Sequence, residues 1–161
     1  MTVSHKTFYK PQTYRLEDSI VFLMVRNQLI FERIADQRLD KFGISASQMR
    51  VLMLIDQLNQ PTASQISTMM GSHAAATVRT LDRLEKKMWI KRTRSSDDRR
   101  VVHLSVTPKA KEILVKIPPH LCNMLNDSLR GISEEEFKTV KKVLVKIAEN
   151  NLQFLESSQS E

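Results

Sequence analysis

Arginine is the residue type whose placement in this chain suggests chemistry. Arg94, Arg99 and Arg100 crowd the short segment RSSDDRR beside Asp97 and Asp98, and Arg79, Arg83, Lys86 and Lys87 precede it at helical spacing. A basic helix suits the major groove of a duplex, and arginines on a thin protrusion suit the minor groove, whose potential attracts them. Other reactive groups lack a partner set. His5, His73, His103 and His120 do not fall at metal-ligand spacing, and His120 and Cys122 lie two apart, on different sides of a helix. No glycine-rich phosphate loop, nucleophile elbow or metalloprotease helix is present. The chemistry on offer is therefore recognition of a polyanion, without catalysis, metal or cofactor.

The elements that must position these arginines can be read around them. WIKRTR and VVHLSVT flank the charged tip, both rich in β-branched or aromatic residues, and so form a β-hairpin. Val102, Leu104 and Val106 alternate with Val101, His103 and Ser105, giving one inward face. Upstream, Thr77, Leu81, Leu84 and Met88 form the core stripe of a helix capped by Ser72 or His73, which leaves Ala75, Ala76, Arg79, Thr80 and Arg83 outside. A short helix, TASQISTMM, precedes it across a turn at Gly71 and opens on a capping box of Thr62 with Gln65. Ser45 with Gln48 starts the helix before that, with Met49, Leu52 and Ile55 on its buried face, and Asn59-Gln60-Pro61 closes it. Two short helices, a tight turn and an arginine-tipped hairpin make a winged helix-turn-helix.

The charge follows the same segment. Between Ser72 and Glu112 there are 11 Lys or Arg against 5 Asp or Glu, whereas the remainder has 14 against 13. Nearly all of the +7 net charge thus sits on the recognition helix, the hairpin and the following turn, as a phosphate-binding face requires. The longest apolar run, Ile20 to Val25, is too short to span a bilayer. Without a charged-then-apolar leader the default location is the cytoplasm.

Outside the winged helix the chain reads as helix. A first long helix is expected from Leu16 to Phe42, ending at Gly43. Pro108 starts another, running to Ile117, where Pro118-Pro119 imposes a kink or restart. Ser133 with Glu136 caps the last helix, lined by Phe137, Val140, Leu144, Ile147, Leu152 and Leu155. The fold class is mainly α with a small β-hairpin wing. Its organisation is an arm at 1–14, a DNA-binding domain at 45–107, dimerisation helices at 15–44 and 108–156, and a frayed tail at 157–161. The outer helices carry more apolar residues than a winged helix alone can cover, so two chains are expected to bury each other as a homodimer. A self-contained bundle within one chain is the alternative.

The pattern resembles the MarR family of transcriptional regulators over roughly residues 15 to 155. Asp98-x-Arg100-x-x-x-Leu104-x-Val106-Thr107 is similar to the family's wing pattern, Asp-x-Arg-x-x-x-Leu-x-Leu-Thr. TVRTLDRLEKKMWIKR resembles the family's recognition helix and first wing strand, with Arg79, Asp82, Arg83, Leu84 and Glu85 in matching places. The resemblance implies that Arg100 enters the minor groove with Asp98 orienting it, and that Arg79 and Arg83 face major-groove bases or phosphates. Met88 and Ala110 stand where the family usually has glycine, and Ala74-Ala75-Ala76 opens the recognition helix. Alanine can only touch a thymine methyl, so direct readout falls on Arg79, with Thr80 and His73 in support.

The DNA-contacting set expected from all this is Ser72, His73, Ala75, Ala76, Arg79, Thr80, Arg83, Arg94, Asp98, Arg99 and Arg100. The partner is double-stranded DNA with a palindromic operator, and the expected action is repression. The resemblance also implies release from DNA by a small aromatic acid or phenol, held between the dimer helices and the winged domain. Phe22 and Met53 would supply apolar walls and Arg15 or Arg26 would meet a carboxylate, unless these are merely solvated helix charges. Met24, Met49, Met69 and Met70 are core filler or parts of an adaptable pocket. The neighbours of Cys122 suggest a buried small residue rather than a thiol sensor. A thiol- or metal-responsive regulator and a helical scaffold with a basic face remain the alternatives.

Overall fold

The computed structural model describes residues 7–158, which form six α-helices and one β-hairpin. Within α5 (Pro108–Ser128), after Cys122, the chain divides into two compact units. The larger unit begins with α1, Ile20–Leu39. It is shorter than the periodicity suggested, because 3-10 turns at Leu16–Asp18 and Asp40–Phe42 take up both ends. Ser19 stops the helix from starting earlier: its hydroxyl accepts the Phe22 N–H at 3.1 Å. The arm lies close to this start, where the Tyr9 hydroxyl accepts the Ile20 N–H at 2.9 Å and Tyr14 packs edge-on against Tyr9. Residues 1–6 of the expected arm, His5 among them, lie outside the described residues.

Three short helices follow: α2 (Ala46–Leu58), α3 (Ala63–Met70) and α4 (Ala74–Lys86). Both expected capping boxes form, Ser45 with Gln48 and Thr62 with Gln65. Gly71 ends α3 in the left-handed region at φ 57°. The strands β1 (Ile90–Arg94) and β2 (Val102–Val106) are antiparallel, in the register Ile90–Val106, Arg92–Leu104 and Arg94–Val102. The α2–α3 loop lies along the free edge of β2. Leu104 donates its N–H to the Pro61 carbonyl at 2.8 Å and the His103 ring bonds the Gln60 carbonyl at 2.8 Å.

The core of this unit is built from the apolar stripes of all these elements. Leu39, Leu52, Ile55, Ile66, Leu81, Leu84, Leu104 and Ile117 are fully buried. Each contributes about 1.5–3 kcal/mol of burial energy, which is what fixes the helices and the wing on one frame.

Two expectations need correction. Met88 does not complete the stripe of α4; it is 66% exposed and left-handed at φ 57°. The helix has already ended there: Met88 donates to the Glu85 carbonyl and Trp89 to the Leu84 carbonyl, the paired bonds of a Schellman turn. Nor does α5 restart at Pro118-Pro119, because it runs unbroken through both prolines. A proline's fixed φ is helical, and the buried Leu114, Ile117 and Ala110 hold the preceding turns in place despite the lost N–H donors.

The smaller unit holds the end of α5 and α6, Glu134–Ser158. The third capping box forms, with Glu136 accepting the Ser133 N–H at 2.8 Å and Ser133 Oγ accepting the Glu136 N–H at 3.2 Å. The helix outruns the expected fraying point. Ser157 and Ser158 are still helical and their hydroxyls bond carbonyls of Gln153 and Phe154, while 159–161 lie outside the described residues.

Candidate nucleic-acid interface

The recognition helix α4 is divided cleanly by its spacing. Thr77, Leu81 and Leu84 are buried, so the opposite face presents Ala75, Arg79, Arg83 and Lys86 to solvent. Val78, 44% exposed on that face, is a residue the charge-led reading passed over. Its place three residues after Ala75 was the available signal, and an exposed valine can meet a thymine methyl as alanine can. His73 stands at the N-cap, exposed and without a side-chain bond to the helix; its carbonyl takes the Ala76 and Thr77 N–H groups, which leaves those of Ala74 and Ala75 for an anion. Ser72, half-buried, also has an internal role. Its hydroxyl bonds Thr77 Oγ1 at 2.9 Å and its carbonyl accepts from Ser67 Oγ at 2.6 Å, tying the turn to the helix. Thr80 Oγ1 donates back to the Ala76 carbonyl at 3.1 Å. Arg79, Arg83 and Lys86 remain the long polar side chains that can reach outward.

The wing tip is a compact turn. Ser95 donates its N–H to the Val101 carbonyl and Val101 its own to the Asp98 carbonyl, both at 2.9 Å. The Asp98 carboxylate accepts the backbone N–H of Arg100 at 2.9 Å. Asp98 therefore orients Arg100 through the main chain rather than by holding its guanidinium fork. Arg94, Arg99 and Arg100 are all exposed.

Not every basic residue of the segment faces outward, which charge counting could not show. Lys87 points back into the unit: its Nζ donates to the Gly43 carbonyl at 2.6 Å and to Gln48 Oε1 at 3.1 Å, and lies 4.8 Å from the centre of the Trp89 ring. Lys109 donates to the Lys87 carbonyl at 3.3 Å. Arg92 pairs with both Asp82, at 2.7 Å, and Glu85, at 3.0 Å. The partners of Lys87 and Arg92 lie 44, 39, 10 and 7 residues away in sequence, beyond any local pattern.

The residues expected to hold an effector line none of the grooves at the α2–α3 loop, the start of α6 and the end of α1. Arg15 is exposed and spent on Glu17 at 2.7 Å; Glu17's own backbone N–H and that guanidinium hold its carboxyl below the usual range. Arg26 is exposed and, among the described residues, unpaired, while Phe22 and Met53 are half-buried. A groove of about 450 Å³ lies elsewhere, lined by Leu58, Asn59, Thr62, Gln65, Met69 and His103 among others. Cys122 is exposed, not buried as its apolar neighbours suggested, because α5 turns that side outward. Among the described residues no three His, Cys, Asp or Glu side chains converge as a metal site, and no helix is long and apolar enough to cross a membrane.

This geometry has counterparts among known proteins. Residues 44–102 match the model of the MarR family. A HTH-type transcriptional regulator from Bacillus subtilis (strain 168), YfiV, is 37% identical over 100 residues, 62% of this chain and 62% of its own length. The match thus spans less than two thirds of that relative. Among solved structures, the S. aureus MepR–DNA complex superposes with a TM-score of 0.75 at 22% identity, covering 82% of this chain and 98% of that one. The Bordetella bronchiseptica protein BpsR, whose DNA binding is regulated by 6-hydroxynicotinic acid, gives 0.76 at 17% identity over 84% and 96%. At these identities the two structures establish the winged helix fold.

Proposed function

We propose that this chain is a dimeric transcriptional regulator of the MarR type, whose family model matches residues 44–102, and that it binds a palindromic DNA operator and represses from it in the cytoplasm. The observation that carries the reading is a division of labour among its cations. Arg79, Arg83 and Lys86 on α4 and Arg94, Arg99 and Arg100 on the wing are exposed, whereas Lys87 and Arg92 are consumed inside the unit. The exposed set matches the demands of a helix in the major groove and a hairpin in the minor groove. Arg79, Arg83, Val78 and the alanines would meet base edges and methyls. His73 and the open start of α4 would meet phosphate, and Ser72, Thr80 and Asp98 would shape that surface. Selection of duplexes from a random pool tests it: an enriched inverted repeat with half-sites about 10 bp apart is expected. Enrichment of no sequence would favour a scaffold that uses its basic face on acidic partners.

The effector is proposed to be a small aromatic acid or phenol bound near α1 and α2 once two chains have assembled. The acid that regulates BpsR is of that class, which supports the reading by analogy. Arg26 is the better carboxylate partner, since Arg15 is already paired. A ligand of this kind raises thermal stability and lowers operator affinity together, as linkage requires. Arg26→Met should remove the ligand response and leave ligand-free DNA affinity unchanged. A panel of aromatic acids at millimolar concentration that moves neither quantity would discard the effector.

A further inference from the structure

We propose that Arg92 is a positioning residue that locks the wing to the recognition helix so that the two engage DNA as one rigid unit. The proposal rests on the DNA-binding reading above and adds to it the device that sets the angle between its two halves. Arg92 lies on β1 opposite Leu104 of β2, and paired residues of an antiparallel ladder project to the same face. Leu104 is buried, so Arg92 projects from the hairpin face that packs on the helices. There its guanidinium is split between two carboxylates one turn apart on α4. One nitrogen reaches Asp82 Oδ1 at 2.7 Å and the other reaches Glu85 Oε2 at 3.0 Å. A planar fork held at two points fixes both distance and angle, which a single ion pair or a lysine ammonium cannot do. Of the three side chains Arg92 is the least exposed, at 32% against 47% and 42%.

The clamp also solves an electrostatic conflict. Asp82 and Glu85 lie on the helix that carries Arg79, Arg83 and Lys86, and two free carboxylates there would repel phosphates. Arg92 cancels one of those charges and draws both carboxylates toward the wing. The hydrogen bonds that hold the wing elsewhere join β2 to the α2–α3 loop and Thr107 to Met88; the Arg92 fork is the side-chain bond from β1 to α4. Removing it leaves Arg100 on a hairpin free to change its pitch against the helix.

The test is the coupling between Arg92 and Arg100, measured on the selected duplex and on a random duplex at several salt concentrations. In the wild-type background Arg100→Ala should weaken specific binding at least about fivefold. In the Arg92→Gln background the same change should cost less than about twofold, because the wing is already out of register. Asp82→Asn with Glu85→Gln, which releases the fork from the helix side, must reduce the coupling equally although it removes negative charge. Arg92→Lys should restore only part of it. The salt slope on random duplex should not change in Arg92→Gln, since a positioning residue neutralises no phosphate. Three outcomes overturn the proposal: an undiminished Arg100 effect in Arg92→Gln, a salt slope reduced by about one, or tighter specific binding in the double carboxylate variant. The last two would make Arg92 a direct DNA contact. Were Arg92→Gln not to fold, the carboxylate pair alone decides. Failure of Arg100→Ala to weaken binding in the wild-type background would instead remove the wing from the DNA-binding reading on which the proposal rests.

Discussion

The Asp98 carboxylate accepts the backbone N–H of Arg100 at 2.9 Å, while the Asp98 carbonyl accepts that of Val101 at the same distance. One short acidic residue thus folds the wing tip around itself and leaves the guanidinium of Arg100 exposed and uncommitted. An arginine spent on a neighbouring carboxylate would have to break that pair before meeting DNA. Here the aspartate organises the main chain, and the fork stays available.

Arg100→Ala should therefore weaken operator binding by about 1–3 kcal/mol without altering the fold. Operator affinity at fixed salt and melting temperature, measured together, check it. Equal affinities for wild type and variant would remove the wing from the mechanism.

Met88→Gly should stabilise the protein. Met88 sits at the left-handed position of the Schellman turn after α4, at φ 57°, and its side chain is 66% exposed. A left-handed conformation costs an L-residue roughly 1–2 kcal/mol. Glycine removes that cost but loses more backbone freedom on folding, so the net gain should be about 0.5–1 kcal/mol. Its carbonyl, which accepts from Thr107 Oγ1 at 2.9 Å, is unchanged by the substitution. Chemical denaturation reads the difference directly, and a lower midpoint for the glycine variant would refute the strain argument.

What the sequence made legible was local. The three capping boxes form because the two groups that satisfy each other lie three residues apart, and the same range fixes the stripe Thr77, Leu81 and Leu84. The exposed face of α4 followed from that stripe. Periodicity failed at Met88, since counting by turns cannot see that a helix has ended in a left-handed residue. Of the kink or restart expected at Pro118-Pro119, the restart does not occur, because packing of Ile117 and Leu114 outweighs a local breaker. The site was legible as a charged region but not residue by residue. Arg92 and Lys87 look like more of the DNA-binding charge until tertiary structure supplies Asp82, Glu85, Gly43 and Gln48. Ser72 likewise reads as a cap until Thr77 claims its hydroxyl.

The start of α6 should be acid-sensitive. The N–H and the hydroxyl of Ser133, at 2.8 and 2.7 Å, hold the Glu136 carboxyl below its ordinary value. A depressed carboxyl contributes stability above its unfolded pKa and loses it as pH falls through the folded value, so the contribution should fade below about pH 4.5. Glu136→Gln keeps an acceptor for the same N–H but cannot titrate. Helicity followed by circular dichroism from neutral pH downward should fall less steeply in this range for the variant. Superimposable curves would show that the Ser133–Glu136 pair contributes nothing measurable.

The protein should be a dimer at micromolar concentration, because α1 and α6 each keep exposed apolar side chains. None of the 25 residues of α6 is buried. Phe137, Val140, Leu144 and Leu155 recur on one side of it at 40, 54, 43 and 56% exposure, and Ile20, Leu23 and Ile30 of α1 are 43–45% exposed. Each such side chain gains about 1.5–3 kcal/mol when fully buried, so each helix favours burial against a second copy. Val140→Glu with Leu144→Glu places two charges on that side and should yield monomer in sedimentation, while truncation after Gly131 should give monomer or aggregate. A symmetric dimer is also what places two copies of α4 on successive half-sites, so the monomeric variant should lose preference for the inverted repeat and retain weak, salt-sensitive binding to random duplex. Wild-type protein sedimenting as a stable 18.6 kDa species would overturn the assembly and, with it, the palindromic operator.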